Sequence, residues 1–162
     1  MTLEELNTLE PSLAEAECRR CCGSARWAAA MTAARPFADV DAMIAQAERI
    51  WTSLEAADRL EAFAAHPRIG ERRAATEWSS QEQAGVRLAD PHVQETLAAR
   101  NIDYQERFGY IFIVCATGKS PAEMLAMLEA RLSNDAPTEL AVAAEEQRKI
   151  TALRLRKLVT HD

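Results

Sequence analysis

The sequence predicts an all-α fold, a single domain built as a compact bundle of about seven to nine helices. Alanine, leucine, glutamate and arginine dominate its 162 residues, while glycine is scarce and β-branched clusters are few, so intrinsic propensity favours helix over most of the length. Apolar residues recur at intervals of three and four, the period of a half-buried helix. Helix stop and start residues punctuate these stretches.

Leu3, Leu6 and Leu9 suggest a short first helix. A second is expected from about Ser12 to Cys22, with Gly23 placed to stop it. A third holds Trp27 and Met31 and ends before Arg35-Pro36. From Asp39 to about Ala57, Val40, Ile44, Ala47, Trp51 and Leu54 form an apolar stripe at helical spacing. Leu60 to Ala65 adds a short helix, which His66 ends because Pro67 disfavours the α conformation at the residue before it. The polar stretch GERRAATEW then reads as a long loop that could border a pocket.

Ser79-Ser80-Gln81-Glu82 fits a capping box, the serine hydroxyl satisfying a first-turn amide and Glu82 standing at the third helical position. A helix from Pro91 to Arg107 follows, and FGYIFIVCATG breaks the helical alphabet with a short β-like run. Ser120-Pro121-Ala122-Glu123 gives a second capping box with proline at its favoured first position. Thr138 opens the last helix, on which Ala143, Ile150 and Leu153 repeat along one side; its basic end, RLRKL, suits the negative pole of the helix dipole. No internal repeat, low-complexity tract or interdomain linker is visible.

Composition narrows the function classes. A formal charge of -6 argues against a general nucleic-acid surface, which needs a basic face. No apolar run approaches the roughly 20 residues of a membrane-spanning helix. The start MTLEELNTLEPSL is acidic, the wrong charge for a signal or transit peptide, so a cytoplasmic location is expected. Small-molecule chemistry or protein partners fit best. Without an export signal, Cys18, Cys21, Cys22 and Cys115 are expected as thiols.

Two motif-like stretches fail on inspection. ATGKS at 116 to 120 resembles the tail of a phosphate loop, but Ile113 stands where the first glycine is required. CRRC at 18 to 21 has the spacing of half a zinc knuckle with no second pair to close it, so no metal site is expected and the cysteines read as small apolar fillers. Cys115 could pair with a histidine as a nucleophile, although sequence alone does not bring the two together.

Of three histidines, His161 sits near the end of the sequence and His92 lies in the first turn of an exposed helix. His66 differs, because a turn fixes its backbone, apolar helix precedes it and a polar loop follows. Its unperturbed pKa of about 6.5 suits proton transfer near neutrality. Glu82 can orient an imidazole, Gln83 can fix a polar substrate edge, and Arg107 can grip a carboxylate through a bidentate fork. Each also has a plain structural reading: a helix terminus, a capping residue, a solvated late-helix cation.

HPRIG, the S-x-x-EQ segment from Ser79 to Gln83, and N-x-x-Y-x-x-RFGY-x-F-x-x-CA-x-G from Asn101 to Gly118 stand in the order seen in the OHCU decarboxylase family, which the chain resembles. W...RPF from Trp27 to Phe37 and the closing helix ending RLRKL extend the resemblance over nearly the whole chain. It implies an all-helical, usually dimeric protein that converts 2-oxo-4-hydroxy-4-carboxy-5-ureidoimidazoline (OHCU) into (S)-allantoin and carbon dioxide, with no cofactor. By motif, His66 resembles the family's acid/base, Glu82 its essential carboxylate and Arg107 its motif arginine. Pro67, Ser79, Gln83 and the backbone of Phe112, Ile113, Val114, Cys115 and Ala116 are expected to line the pocket; this run could offer unpaired amides and carbonyls to a heterocycle.

The loop between His66 and Glu82 is shorter than in some members, and VTHD lacks the peroxisomal signal of eukaryotic relatives, in keeping with a bacterial-type cytoplasmic protein. Two alternatives stay open: a helical interaction module that kept the scaffold without activity, and an enzyme acting on a related ureido heterocycle.

Overall fold

The computed structural model describes residues 1–67 and 90–160. Eight α-helices lie among them: α1 (Leu3–Thr8), α2 (Pro11–Cys21), α3 (Ala25–Ala33), α4 (Val40–Ser53), α5 (Ala56–Ala64), α6 (Pro91–Phe108), α7 (Pro121–Arg131) and α8 (Ala136–Thr160). The expected all-α class holds. The GERRAATEW loop, the Ser79 capping box and His161 lie outside the described residues.

Polar side chains set the helix starts. Thr2 and Glu5 form a reciprocal capping box at α1, a signal that the leucine pattern alone does not reveal. Glu10 caps α2, Ser24 caps α3, Asp39 caps α4 and Asp90 caps α6. The Ser120 hydroxyl accepts the Glu123 amide with Pro121 opening α7. The last helix begins before Thr138, which is a correction: Asp135 is its cap, its carboxylate accepting the Thr138 amide at 2.7 Å, the better acceptor for a first-turn N–H.

Two ends also differ from expectation. The stripe from Val40 stops at Ser53, because Leu54 turns extended as the C-cap, and α5 begins at Ala56, four residues ahead of the expected Leu60. Gly23 does not stop α2 by a left-handed turn; Cys22 already ends it in an extended conformation. Gly23 is required for space, since a Cβ there would stand 2.4 Å from the Ala65 Cβ. Left-handed glycine does appear at Gly109, the C-cap of α6 with φ +86°, where a side chain is disfavoured.

The chain forms two compact units: Met1–Ala65 with Gln147–Asp162, and His66–Glu146. In the first, α2 packs on α3, and α3 on α4 and α5. Its core includes Leu6, Trp27, Met31, Met43, Trp51, Phe63, Leu155 and all three clustered cysteines. The Trp27 indole donates to the Ala47 carbonyl at 3.2 Å, which lets a buried indole keep its polar atom satisfied. Arg35 ties down the end of α1 by donating to the Leu6 and Leu9 carbonyls, each at 2.7 Å. Leu153 is exposed, contrary to the expected apolar repeat; the buried side of α8 runs instead through Ile150, Thr151, Arg154, Leu155 and Leu158.

In the second unit α6 packs on α7. Leu97 and Tyr104 from α6, Met124 and Leu128 from α7, and Phe112 and Val114 from the connection form one apolar cluster. The β-like run makes no strand here; residues 111–116 are non-helical and unladdered, and no strand among the described residues stands ready to pair with them.

Candidate active site

His66 directly follows the C-cap of α5, Ala65, and is half-buried, as is Pro67. The sequence thus places the imidazole at a helix terminus as expected. Phe63 and Ala62 anchor that end of α5, both fully buried, and Gly23 admits Ala65 at close range. Glu82, Ser79 and Gln83 lie outside the described residues, so their convergence on His66 carries no geometry here.

Arg107 stands in the last turn of α6, exposed. Its Nη2 donates to the Asn134 carbonyl at 2.8 Å, and its guanidinium lies 5.0 Å from the centre of the Phe108 ring. These contacts steady the arginine while the planar fork has five donors in all.

The run from Phe112 to Ala116 is buried as far as Cys115, and Ala116 is half-buried. Several of its backbone groups already carry protein partners, which narrows the expectation that the run offers unpaired groups. The Ile113 carbonyl accepts from Arg131 Nη1 at 2.7 Å. The Cys115 amide donates to Glu146 Oε1 at 3.2 Å, and its carbonyl accepts from Lys119 Nζ at 2.8 Å. The Ala116 carbonyl accepts the Lys119 amide at 3.0 Å, closing a turn through Gly118 at φ +77°. ATGKS is therefore a turn and a helix cap. The Cys115 thiol is free of disulfide and buried.

Arg131 belongs to a buried network that the sequence reading missed. Glu139 is fully buried and accepts from Arg131 Nε at 2.7 Å, from Asn134 Nδ2 at 3.0 Å and from the Tyr104 hydroxyl. Burial first, and then the bond to Glu139, holds the Tyr104 phenol far above its ordinary range, so it acts as a fixed donor. The Arg131 guanidinium also lies 4.4 Å from the centre of the Phe112 ring. Breaking such a buried pair from one side costs about 3–5 kcal/mol, because it strands the other charge. Helical spacing puts Glu139 and Glu146 on one face with Ala143 and Ile150, but only the structure shows that face to be buried.

A surface hollow lined by Ile44, Ala47, Trp51 and Thr151, with the Glu48–Arg148 ion pair at 2.7 Å, contains none of the candidate residues. Among the described residues no group of three or more His, Cys, Asp or Glu side chains could hold a metal ion. No described helix is long and apolar enough to cross a membrane.

An all-helical protein with a histidine presented at a helix end and a non-helical backbone run held by buried charges is the class these observations define. The chain belongs to the OHCU decarboxylase family, whose model matches residues 7–156. It is 32% identical over 123 residues to the 2-oxo-4-hydroxy-4-carboxy-5-ureidoimidazoline decarboxylase of Haloferax volcanii, covering 75% of this chain and 73% of that one. It is 35% identical to the uric acid degradation bifunctional protein TTL of Arabidopsis thaliana, over 90% of this chain but only 47% of the relative's length. A crystal structure of OHCU decarboxylase in the presence of (S)-allantoin superposes with a TM-score of 0.81 at 38% identity, covering 90% of this chain and 98% of that one.

Proposed function

We propose that this chain decarboxylates OHCU to (S)-allantoin in urate degradation, as a carboxy-lyase that works without a cofactor. The observation that carries this reading is the match to the OHCU decarboxylase family over residues 7–156, with His66 and Pro67 following the C-cap of α5 so that His66 stands at a helix terminus.

The chemistry needs positioning, polarisation and one proton. As the bond to the carboxylate breaks, its electron pair is delocalised over the conjugated ring and carbon dioxide departs. His66 then delivers a proton to one face of the carbanionic carbon, which makes a single enantiomer. Glu82 is assigned the orientation of the imidazole or a polar substrate group. Arg107 is assigned the anionic substrate, because a guanidinium fork binds a carboxylate through paired hydrogen bonds. Pro67, Ser79, Gln83 and the run from Phe112 to Ala116 are assigned to the pocket wall. The same reading includes a homodimer and a cytoplasmic location.

The test generates OHCU from urate with upstream enzymes, adds the purified chain and follows optical activity. Accelerated formation of (S)-allantoin is expected, before and after treatment with a chelator and exhaustive dialysis. Decay at the spontaneous rate, or a racemic product, overturns the decarboxylase reading. Loss of turnover on dialysis overturns independence from a cofactor. His66→Ala is expected to abolish acceleration with an unchanged helical circular-dichroism spectrum; wild-type turnover in that variant removes His66 from its role.

A further inference from the structure

The run that is assigned to the pocket wall has no ladder to hold it, yet it is buried. Its fixed points follow a period of two. Phe112 and Val114 send their side chains into the α6–α7 cluster. Ile113 and Cys115 present their backbone groups to side chains instead: Arg131 takes the Ile113 carbonyl, Glu146 the Cys115 amide and Lys119 the Cys115 carbonyl. A period of two is that of extended chain, in which neighbouring residues direct their N–H and C=O groups to opposite edges. In that geometry, anchoring Ile113 and Cys115 along one edge turns the backbone groups of Val114 towards the other.

We propose that Arg131 and Glu146 are positioning residues, which substitute for a partner strand and fix the edge of residues 112–116 that faces the substrate. Arg131 is suited to this because its planar fork makes two kinds of contact at once. Nε donates to Glu139 at 2.7 Å and Nη2 stands 2.6 Å from the same carboxylate. Nη1 is then aimed at the Ile113 carbonyl at 2.7 Å. The Tyr104 hydroxyl and Asn134 hold Glu139 from other directions, so the fork has little freedom to turn. A lysine keeps the charge but has one nitrogen, and cannot serve Glu139 and the Ile113 carbonyl with the same geometry. Glu146 needs only an acceptor oxygen for the Cys115 amide.

This inference rests on the proposed reading that residues 112–116 line the substrate pocket. The test measures KM, kcat and amide hydrogen exchange of residues 112–116 in the full chain. In Arg131→Lys, KM is expected to rise about tenfold, with kcat changed much less and faster exchange across the run, since one oriented hydrogen bond is lost. Glu146→Ala is expected to do the same, and Glu146→Gln, whose amide oxygen still accepts, to recover most of the loss. The Glu146 pair carries the test if Arg131→Lys fails to fold. A wild-type KM with wild-type exchange in either Arg131→Lys or Glu146→Ala overturns the positioning role. So does failure of Glu146→Gln to recover the loss, or faster exchange without a change in KM. An inactive wild-type chain instead overturns the decarboxylase reading, a result separate from any of these.

Discussion

Cys18, Cys21 and Cys22 form a close set in the sequence, and the fold uses them as core atoms. Cys18 and Cys22 are each 1% exposed, and burial pushes both thiols up to about 11; Cys21 shifts in the same direction for the same reason. In the unfolded chain a thiol ionises near pH 8.5. The folded pKa is raised, so this stabilisation is complete below about pH 8.5 and is lost as pH rises towards about 11, where the unfolded chain has released protons that the native state retains. The unfolding free energy in urea should therefore fall between pH 8 and 11 by on the order of 2–3 kcal/mol for each such thiol. Cys22→Ala should flatten the slope; an unaltered slope would show that burial does not shift the thiol. His66 was legible at this same scale, because one proline fixes where the helix must end. Arg131 and Glu139 were not, since a charged residue in a helix reads as solvated until its partners are known.

Among the elements, α5 matters most to the proposed reading because His66 directly follows its C-cap. Its end is defined by Pro67, by burial of Ala62 and Phe63, and by the absence of a side chain at Gly23, where a Cβ would stand 2.4 Å from that of Ala65. Gly23→Ala must push the two segments apart. A loss of roughly 1–3 kcal/mol in unfolding free energy is expected, the usual range for overpacking, together with reduced turnover in the folded fraction at low temperature. Wild-type stability and turnover would show that the contact yields without moving α5. The start of α8 shows what sequence reasoning weighs poorly: Asp135 and Thr138 are both acceptable caps, and their rank depends on which oxygen reaches the first-turn amide. The break between α4 and α5 was hidden for a similar reason, since the stripe from Val40 to Leu54 continues across a residue whose backbone has already left the helix.

For the whole molecule, a helical class was written in composition and period, and the eight described helices bear it out. The single-domain and homodimer readings are proposals that one experiment addresses. Because α8 supplies residues to both compact units, thermal unfolding is expected as one cooperative transition. Its midpoint should rise with protein concentration if folding and dimerisation are linked. Light scattering should give about twice the 17.9 kDa chain mass. Two separate transitions would overturn the single domain; a midpoint independent of concentration with a mass of one chain would overturn the dimer.

The helical class, several helix starts, the terminus at His66 and, through three ordered motifs, the family are legible from the amino-acid order alone. These are local or cumulative properties: a proline restricts its neighbour, a serine or aspartate finds an amide within one turn, and propensity adds along the chain. That Gly23 serves close packing, that Leu153 is exposed, and that Arg131, Glu139 and Glu146 are buried around the backbone beside Phe112 follows only from how the helices pack. Arg131 lies 18 residues from Ile113 and Glu146 lies 31 from Cys115. No periodicity along one segment encodes such a meeting, because it depends on which helix faces pack together.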